Sequence, residues 1–146
     1  MNNNDILRSI RYTFDFGDDK MMALFGKAGL EVTRTEVCAW LKRDEDVDFK
    51  AIYDNQLAYF LNGFIIDKRG KKDGELPVAE KKLNNNIVLR KLKIALTLRD
   101  EDIIAILQLA DFKLSKPELS AFFRNPDQNQ YRPCKDQIIR VFLQGL

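Results

Sequence analysis

Two polar clusters in this chain have residue types and a spacing suited to holding an anion. Asn2-Asn3-Asn4 is followed by Arg8, and Asn84-Asn85-Asn86 by Arg90. Each triplet stands where an amphipathic helix is expected to begin. Free amides at a helix N-terminus, the helix dipole and a nearby arginine together suit a phosphate or carboxylate. One asparagine ahead of a helix is a cap. Three in a row, twice, exceed what capping needs. The competing reading is structural: the amides bridge the two halves of the chain, and Arg8 and Arg90 pair with Asp54 or Asp136. Interfacial arginines are usually paired, which favours this second reading.

A wider basic set extends the first cluster. Arg8 and Arg11 lie three apart on the expected first helix, and Arg90, Lys91 and Lys93 on its counterpart. Lys68, Arg69, Lys71, Lys72, Lys81 and Lys82 follow in the middle of the chain. Residues 2–64 carry a net charge of −3, 65–83 of +2 and 84–146 of +3. A late concentration of positive charge suits a nucleic-acid backbone, but so mild an asymmetry favours an ordinary solvated face. The candidate contacts for a ligand or polyanion are therefore Asn3, Asn4, Arg8, Arg11, Asn85, Asn86, Arg90, Lys91 and Lys93.

Other chemistry finds little material. The chain has no histidine, which removes imidazole bases, histidine-activated nucleophiles and imidazole metal sites. Cys38 and Cys134 are too few for a zinc cluster or a disulfide framework. The run Asp44-Glu-Asp-Val-Asp48 begins like a calcium loop, but Phe49 replaces the glycine and Asn55 the glutamate such a loop requires. It reads as a solvated helix exit. Gly63 and Gly70-Lys71 lack the spacing of a phosphate loop. Carboxylates are plentiful, yet nothing singles out a pair for acid–base work. No catalytic residue, cofactor or metal ligand is assigned.

The elements that must position these residues are written twice. Placing residues 2–64 over 84–146, an offset of 82, needs no gap and gives 14 identities in 63 positions. Many other pairs exchange one apolar residue for another, such as Trp40 with Phe122 and Leu57 with Ile139. This is an internal duplication, too long in period and too few in copies for a solenoid. Each copy reads as four helices, with apolar residues at helical spacing such as Ile6, Leu7, Ile10 and Phe14. Thr33-Arg-Thr-Glu36 and Ser115-Lys-Pro-Glu118 are capping boxes at equivalent positions. Asp18, Asp100, Asp54 and Asp136 are expected to be caps as well. The shared Ala, Phe, Leu and Gly positions are expected in the core and at close helix crossings. No period-2 run or hairpin turn signals a strand.

The 146 residues and 45% hydrophobic content suffice for one ordinary domain. The expected fold is all-α, a tandem duplication of a four-helix unit packed as one pseudo-twofold-symmetric helical body. Residues 1–64 form the first repeat, 65–83 a charged linker and 84–146 the second repeat. The N-terminus lacks the features of a secretory signal, and no run approaches a membrane span, so a cytoplasmic location with reduced thiols is expected.

At the repeated Asn-Asn-x-x-Leu-Arg motif the chain resembles a known family. Asn3-Asn-Asp-Ile-Leu-Arg-Ser-Ile-Arg-Tyr12, Phe60-Leu-Asn-Gly-Phe64, Lys68-Arg-Gly70 and Asn84-Asn-Asn-Ile-Val-Leu-Arg-Lys-Leu92 are similar to the YehS-like family of bacterial conserved hypothetical proteins. The resemblance covers nearly the whole chain. It implies a duplicated helical protein of bacterial origin. The family is a domain of unknown function, so it brings no activity and no site residues. The expected function is a small non-catalytic cytoplasmic binding or adaptor protein with a protein partner and no membrane association. The alternative is a nucleic-acid-binding protein using the basic helix face.

Overall fold

A computed structural model describes residues 1–71 and 74–146. Lys72 and Asp73, in the charged connection, lie outside the described residues. Among the described residues there are eight helices and no strand. The chain divides into two compact units, Met1–Leu83 and Asn84–Leu146. The first holds α1 (Asn3–Thr13), α2 (Asp18–Lys27), α3 (Arg34–Leu41) and α4 (Asp54–Arg69). The second holds α5 (Asn85–Ala95), α6 (Asp100–Gln108), α7 (Lys116–Phe122) and α8 (Asp136–Gly145). The all-helical, duplicated architecture read from the sequence is the one observed.

Within each unit the long-range packing follows the apolar stripes. In the first, Leu7 and Ile10 of α1 join Leu24 and Phe25 of α2 and Leu57, Phe60 and Phe64 of α4 in a core shut off from solvent. Phe25 packs against Trp40 and Phe60 at centroid distances of 5.3 and 5.1 Å. In the second unit, Leu89, Leu92, Leu107, Ile139 and Phe142 occupy the places of Leu7, Ile10, Phe25, Leu57 and Phe60, and Ile103 that of the buried Met21. Trp40 and Phe122 are both buried, as their matched spacing implied. The shared glycines mark the closest helix crossings: Gly63 on α4 lies against the backbone of Leu24, and Gly145 on α8 against Ile106. The shared alanines divide. Ala39 and Ala121 are buried, whereas Ala23 and Ala105 face solvent, and Ala28 is buried while its counterpart Ala110 is not.

Helix starts confirm two of the expected caps and correct the others. Thr33 and Ser115 each accept the N–H of the glutamate three residues on, at 3.1 and 3.3 Å, and that glutamate accepts the cap's own N–H. Asp18, Asp100, Asp54 and Asp136 are instead the first helical residues; the caps before them are Gly17, Arg99, Tyr53 and Lys135. A carboxylate in the first turn complements the dipole from inside the helix. The first helix starts at Asn3, capped by Asn2, and its counterpart at Asn85, capped by Asn84.

Helix ends repeat too. Asp15 and Thr97 follow the first helix of each unit in the left-handed conformation (φ 53° in both), and Phe16 and Leu98 return N–H bonds to Arg11 and Lys93. This is the Schellman pattern. After the second helix, Gly29 (φ 96°) and Asp111 (φ 58°) hold the same place. Glycine adopts that conformation without penalty, so Asp111→Gly is expected to stabilise the second unit by about 0.5–1 kcal/mol in urea unfolding.

α4 continues through Arg69, so residues 65–69 of the expected linker are helical; Gly70 (φ 84°) ends the helix. Leu76, Ala79, Glu80 and Leu83 of the connection lie against the first unit. Leu76 packs onto Gly29, Asn55 Nδ2 donates to the carbonyls of Ala79 and Glu80, and Asp54 Oδ2 accepts the N–H of Leu83 at 2.8 Å.

Candidate functional site

The three asparagines of each triplet have three different tasks. Asn2 caps: its Oδ1 accepts the N–H of Asp5 at 2.8 Å, and the Asp5 carboxylate accepts the N–H of Asn2 at 3.0 Å. Asn3 tethers α4, donating to the Ile52 carbonyl at 3.2 Å and to Asp54 Oδ1 at 2.7 Å. Asn4 is buried. Its Nδ2 donates to the carbonyls of Trp40 and Lys50 at 2.8 and 2.9 Å, and its Oδ1 accepts the N–H of Ile52 at 3.2 Å. One side chain thus fastens both ends of the loop between α3 and α4 to the start of α1.

The second unit repeats the arrangement except for the reciprocal cap bond, since Ile87 stands where Asp5 does. Asn84 accepts the N–H of Ile87 at 2.9 Å. Asn85 donates to the Cys134 carbonyl at 3.0 Å and to Asp136 Oδ1 at 2.7 Å. Asn86, also buried, donates to the carbonyls of Phe122 and Arg132 at 3.0 and 2.8 Å and accepts from Cys134 N–H at 2.8 Å. The hydrogen bond from Asn85 holds the Asp136 carboxyl below its usual range. The loops closed in this way otherwise differ: the first carries the acidic run 44–48, the second none. In the first loop the exposed acids meet Arg43 and Lys42 at 3.5–3.9 Å.

These bonds correct the sequence reading in two respects. The amides close loops inside their own units, rather than bridging the halves of the chain. Arg8 and Arg90 do not pair with Asp54 or Asp136. Arg8 donates to the Lys42 carbonyl and to Asp5, and Arg90 donates to the Phe123 carbonyl, each at 2.5 Å. Both arginines therefore close the C-terminal end of the third helix in their unit. Asp54 and Asp136 belong to Asn3 and Asn85.

The other candidates, Arg11, Lys91 and Lys93, are each half-buried within their own units. The Arg11 Nε is shielded without a hydrogen-bond partner. Lys93, at the equivalent position, pairs with Asp100 at 2.7 Å and lies 4.5 Å from the Phe123 ring centroid. No group of three or more Cys, Asp or Glu among the described residues is arranged to hold a metal ion. The backbone groups bound by Asn3, Asn4, Asn85 and Asn86 lie 36 to 49 residues away and carry no sequence signature.

The two thiols differ. Cys134 is buried, and burial pushes its pKa up to about 12. Cys38 is half-exposed, with its sulfur 3.7 Å from Asp18 Oδ2. With a disulfide reagent at pH 8, Cys38 is expected to react first and Cys134 at least about a hundredfold more slowly, until denaturant is added.

No helix among the described residues is long and apolar enough to cross a membrane. No solved structure matches the chain. The uncharacterized protein YehS of Escherichia coli strain K12 is 41% identical over 148 aligned positions, spanning all of this chain and 94% of that protein. A family model described as a protein of unknown function, DUF1456, matches residues 3–70 and again 85–146, once for each copy of the asparagine-pinned unit. The chain belongs to this family.

Proposed function

We propose that this chain is a small, non-catalytic, cytoplasmic binding or adaptor protein whose partner is another protein. The observation that carries the reading is an apolar side chain left in solvent at the same position of both first helices. Tyr12 on α1 is 87% exposed and its counterpart Ile94 on α5 is 43% exposed. Further large apolar side chains are open on the first unit, at Val47, Tyr53 and Val78. Tyr53 and Val78 sit at the same end of α4, because Asn55 ties that end to the Ala79 carbonyl. Isolated apolar side chains are ordinary on a soluble surface, whereas a repeated outward position and a local group mark places where protein surfaces meet.

The polar motif shared by the copies supports the same reading by being occupied. Its amides and arginines are engaged inside each unit, and the buried Cys134 thiol is held in its unreactive form. The nucleic-acid alternative draws less support: it needs Arg8, Arg11, Arg90, Lys91 and Lys93 on one open face, and Arg8 and Lys93 are ion-paired within their own units.

The test is site-specific photo-crosslinking in bacterial cells, with the photoreactive residue at Tyr12, Tyr53 or Ile94 and a control at exposed Lys113. A discrete protein adduct at one or more of the apolar sites, absent from the control, is the expected result. No adduct at any of them, together with salt-sensitive binding of labelled RNA or DNA in fluorescence anisotropy, would replace this reading with the polyanion one.

A further inference from the structure

The loop that the asparagines fasten is closed in the same way in both units but carries opposite net charge. Residues 42–53 of the first unit hold four acids and three cations. The equivalent residues 124–135 of the second hold one acid, Asp127, and three cations, Arg124, Arg132 and Lys135. In the first loop the charges meet locally: Lys42 lies 3.6 Å from Asp48, and Arg43 lies 3.5 and 3.9 Å from Glu45 and Asp46. In the second unit Arg124 stands in place of Lys42, but Gln130 in place of Asp48. The same exchange recurs on the first helix. Arg8 pairs with Asp5, whereas Arg90 has Ile87 at that position.

The backbone of the second unit gathers its cations. Arg90 donates to the carbonyl of Phe123, next to Arg124, and the Arg132 N–H donates to the Ala121 carbonyl at 3.2 Å. Asn85 and Asn86 hold Cys134, next to Lys135. Asn85 also holds Asp136, one turn before Arg140 on α8. Lys135 and Arg140 are additions, standing where the first unit has Tyr53 and Ala58. Arg90, Arg124, Arg132, Lys135 and Arg140 are all exposed. Arg132 turns one guanidinium nitrogen to the carbonyls of Asn129 and Tyr131, and Arg90 one to Phe123, so each keeps further donors for a ligand. The acids beside these five cations are Asp127 and Asp136.

We propose that the α7–α8 loop of the second unit docks an acidic segment of a partner protein. The aspartates or glutamates of that segment do for Arg124 and Arg90 what Asp48 and Asp5 do for Lys42 and Arg8. Four of the five cations are arginines, whose planar forks take carboxylates bidentately. A nucleic-acid strand fits less well. Phe123 and Tyr131, the rings at the loop, are half-buried, and Lys93 lies over Phe123, so neither offers a fully open face to a base. The proposal rests on the reading of the chain as a protein-binding module and gives its partner a charged anchor.

The test is made on the full chain in bacterial cells. A photoreactive residue replaces Gln128, which is exposed on the loop, and the crosslinked segment is identified by mass spectrometry. The expected adduct is to a protein segment rich in aspartate and glutamate, and it is lost in R124E/K135E with circular dichroism unchanged. In vitro, labelled octaglutamate is the probe. R124E/K135E is expected to weaken its binding by at least about tenfold at low salt. K81E/K82E removes the same charge from the first unit and is expected to leave binding unchanged.

Octaglutamate that does not bind at low salt, or that is lost equally in K81E/K82E, overturns the proposal. No adduct at Gln128, an adduct to RNA, or an adduct to a segment without acids overturns it as well. A crosslink to residues 44–48 of a second copy also overturns it, by naming self-association instead. If protein adducts still form at Tyr12, Tyr53 or Ile94, the adaptor reading survives that failure. If none forms at any site, both fall.

Discussion

Asn4→Ala is expected to destabilise the first unit by about 3 kcal/mol, and Asn86→Ala the second by a similar amount. Each substitution removes two donors and one acceptor at once. The carbonyls of Trp40 and Lys50 and the N–H of Ile52 are then left inside the protein without the partner they have now. Water cannot replace that partner cheaply, because Asn4 is 2% exposed. A buried polar group stripped of its bond costs roughly 1–3 kcal/mol, and the three losses share one small site, so they do not add fully. Asn4→Asp is expected to be worse than alanine: it loses both donors and points a carboxylate at two carbonyl oxygens. Asn3→Ala, at the half-buried tether, should cost only about 1 kcal/mol. The check is urea unfolding of each variant. Equal costs at Asn3 and Asn4, or no cost at either, would contradict the loop-fastening role.

Gly63→Ala is expected to be damaging by a comparable amount, and for a steric reason. A Cβ at this position would stand 1.7 Å from the Leu24 carbonyl oxygen and 2.6 Å from its carbon. Both atoms are helix backbone, so no rotamer change relieves the contact. α2 and α4 must separate, opening the core around Phe25 and Phe60. Alanine's better helix propensity returns about 1 kcal/mol, and overpacking a fixed site costs about 3 kcal/mol or more, so destabilisation wins. Gly145→Ala is the informative comparison. There the new Cβ meets the Ile106 Cγ2 at 2.7 Å and its oxygen at 2.9 Å, a shallower overlap that a small shift of the helix relieves. Its cost is expected to be at most about 1 kcal/mol. Thermal unfolding of both variants checks the order; a harmless Gly63→Ala would mean the crossing is looser than described.

Much of this architecture is legible in the sequence, because duplication writes every structural choice twice. The helical stripes, the Thr33 and Ser115 boxes and the buried places of Trp40 and Phe122 follow from local spacing. The misassigned caps show where local reasoning stops. An aspartate at the first helical residue and one at the cap satisfy similar electrostatics, so Asp18 and Asp54 fit either place by sequence alone. The end of α4 was missed because nothing between Ile65 and Arg69 breaks a helix; Gly70 does. The task of Asn4 was beyond local reasoning altogether. It depends on a loop returning to the start of α1, and the groups it binds are backbone atoms that every residue has. The differences between the copies are not legible either: Ala28 and Ala110 are the same residue in different surroundings, one buried and one exposed.

The claim on which the account turns is that the repeated asparagines and arginines hold each unit together, leaving the apolar surface to do the binding. The most direct measurement is nitrogen-15 NMR of the Asn4 and Asn86 side-chain amides, recorded with and without inorganic phosphate and a short RNA. The account predicts that these amide protons exchange slowly and that their resonances stay in place during both titrations. Fast exchange, or shifts that saturate with either added anion, would make the triplets a binding site and contradict it.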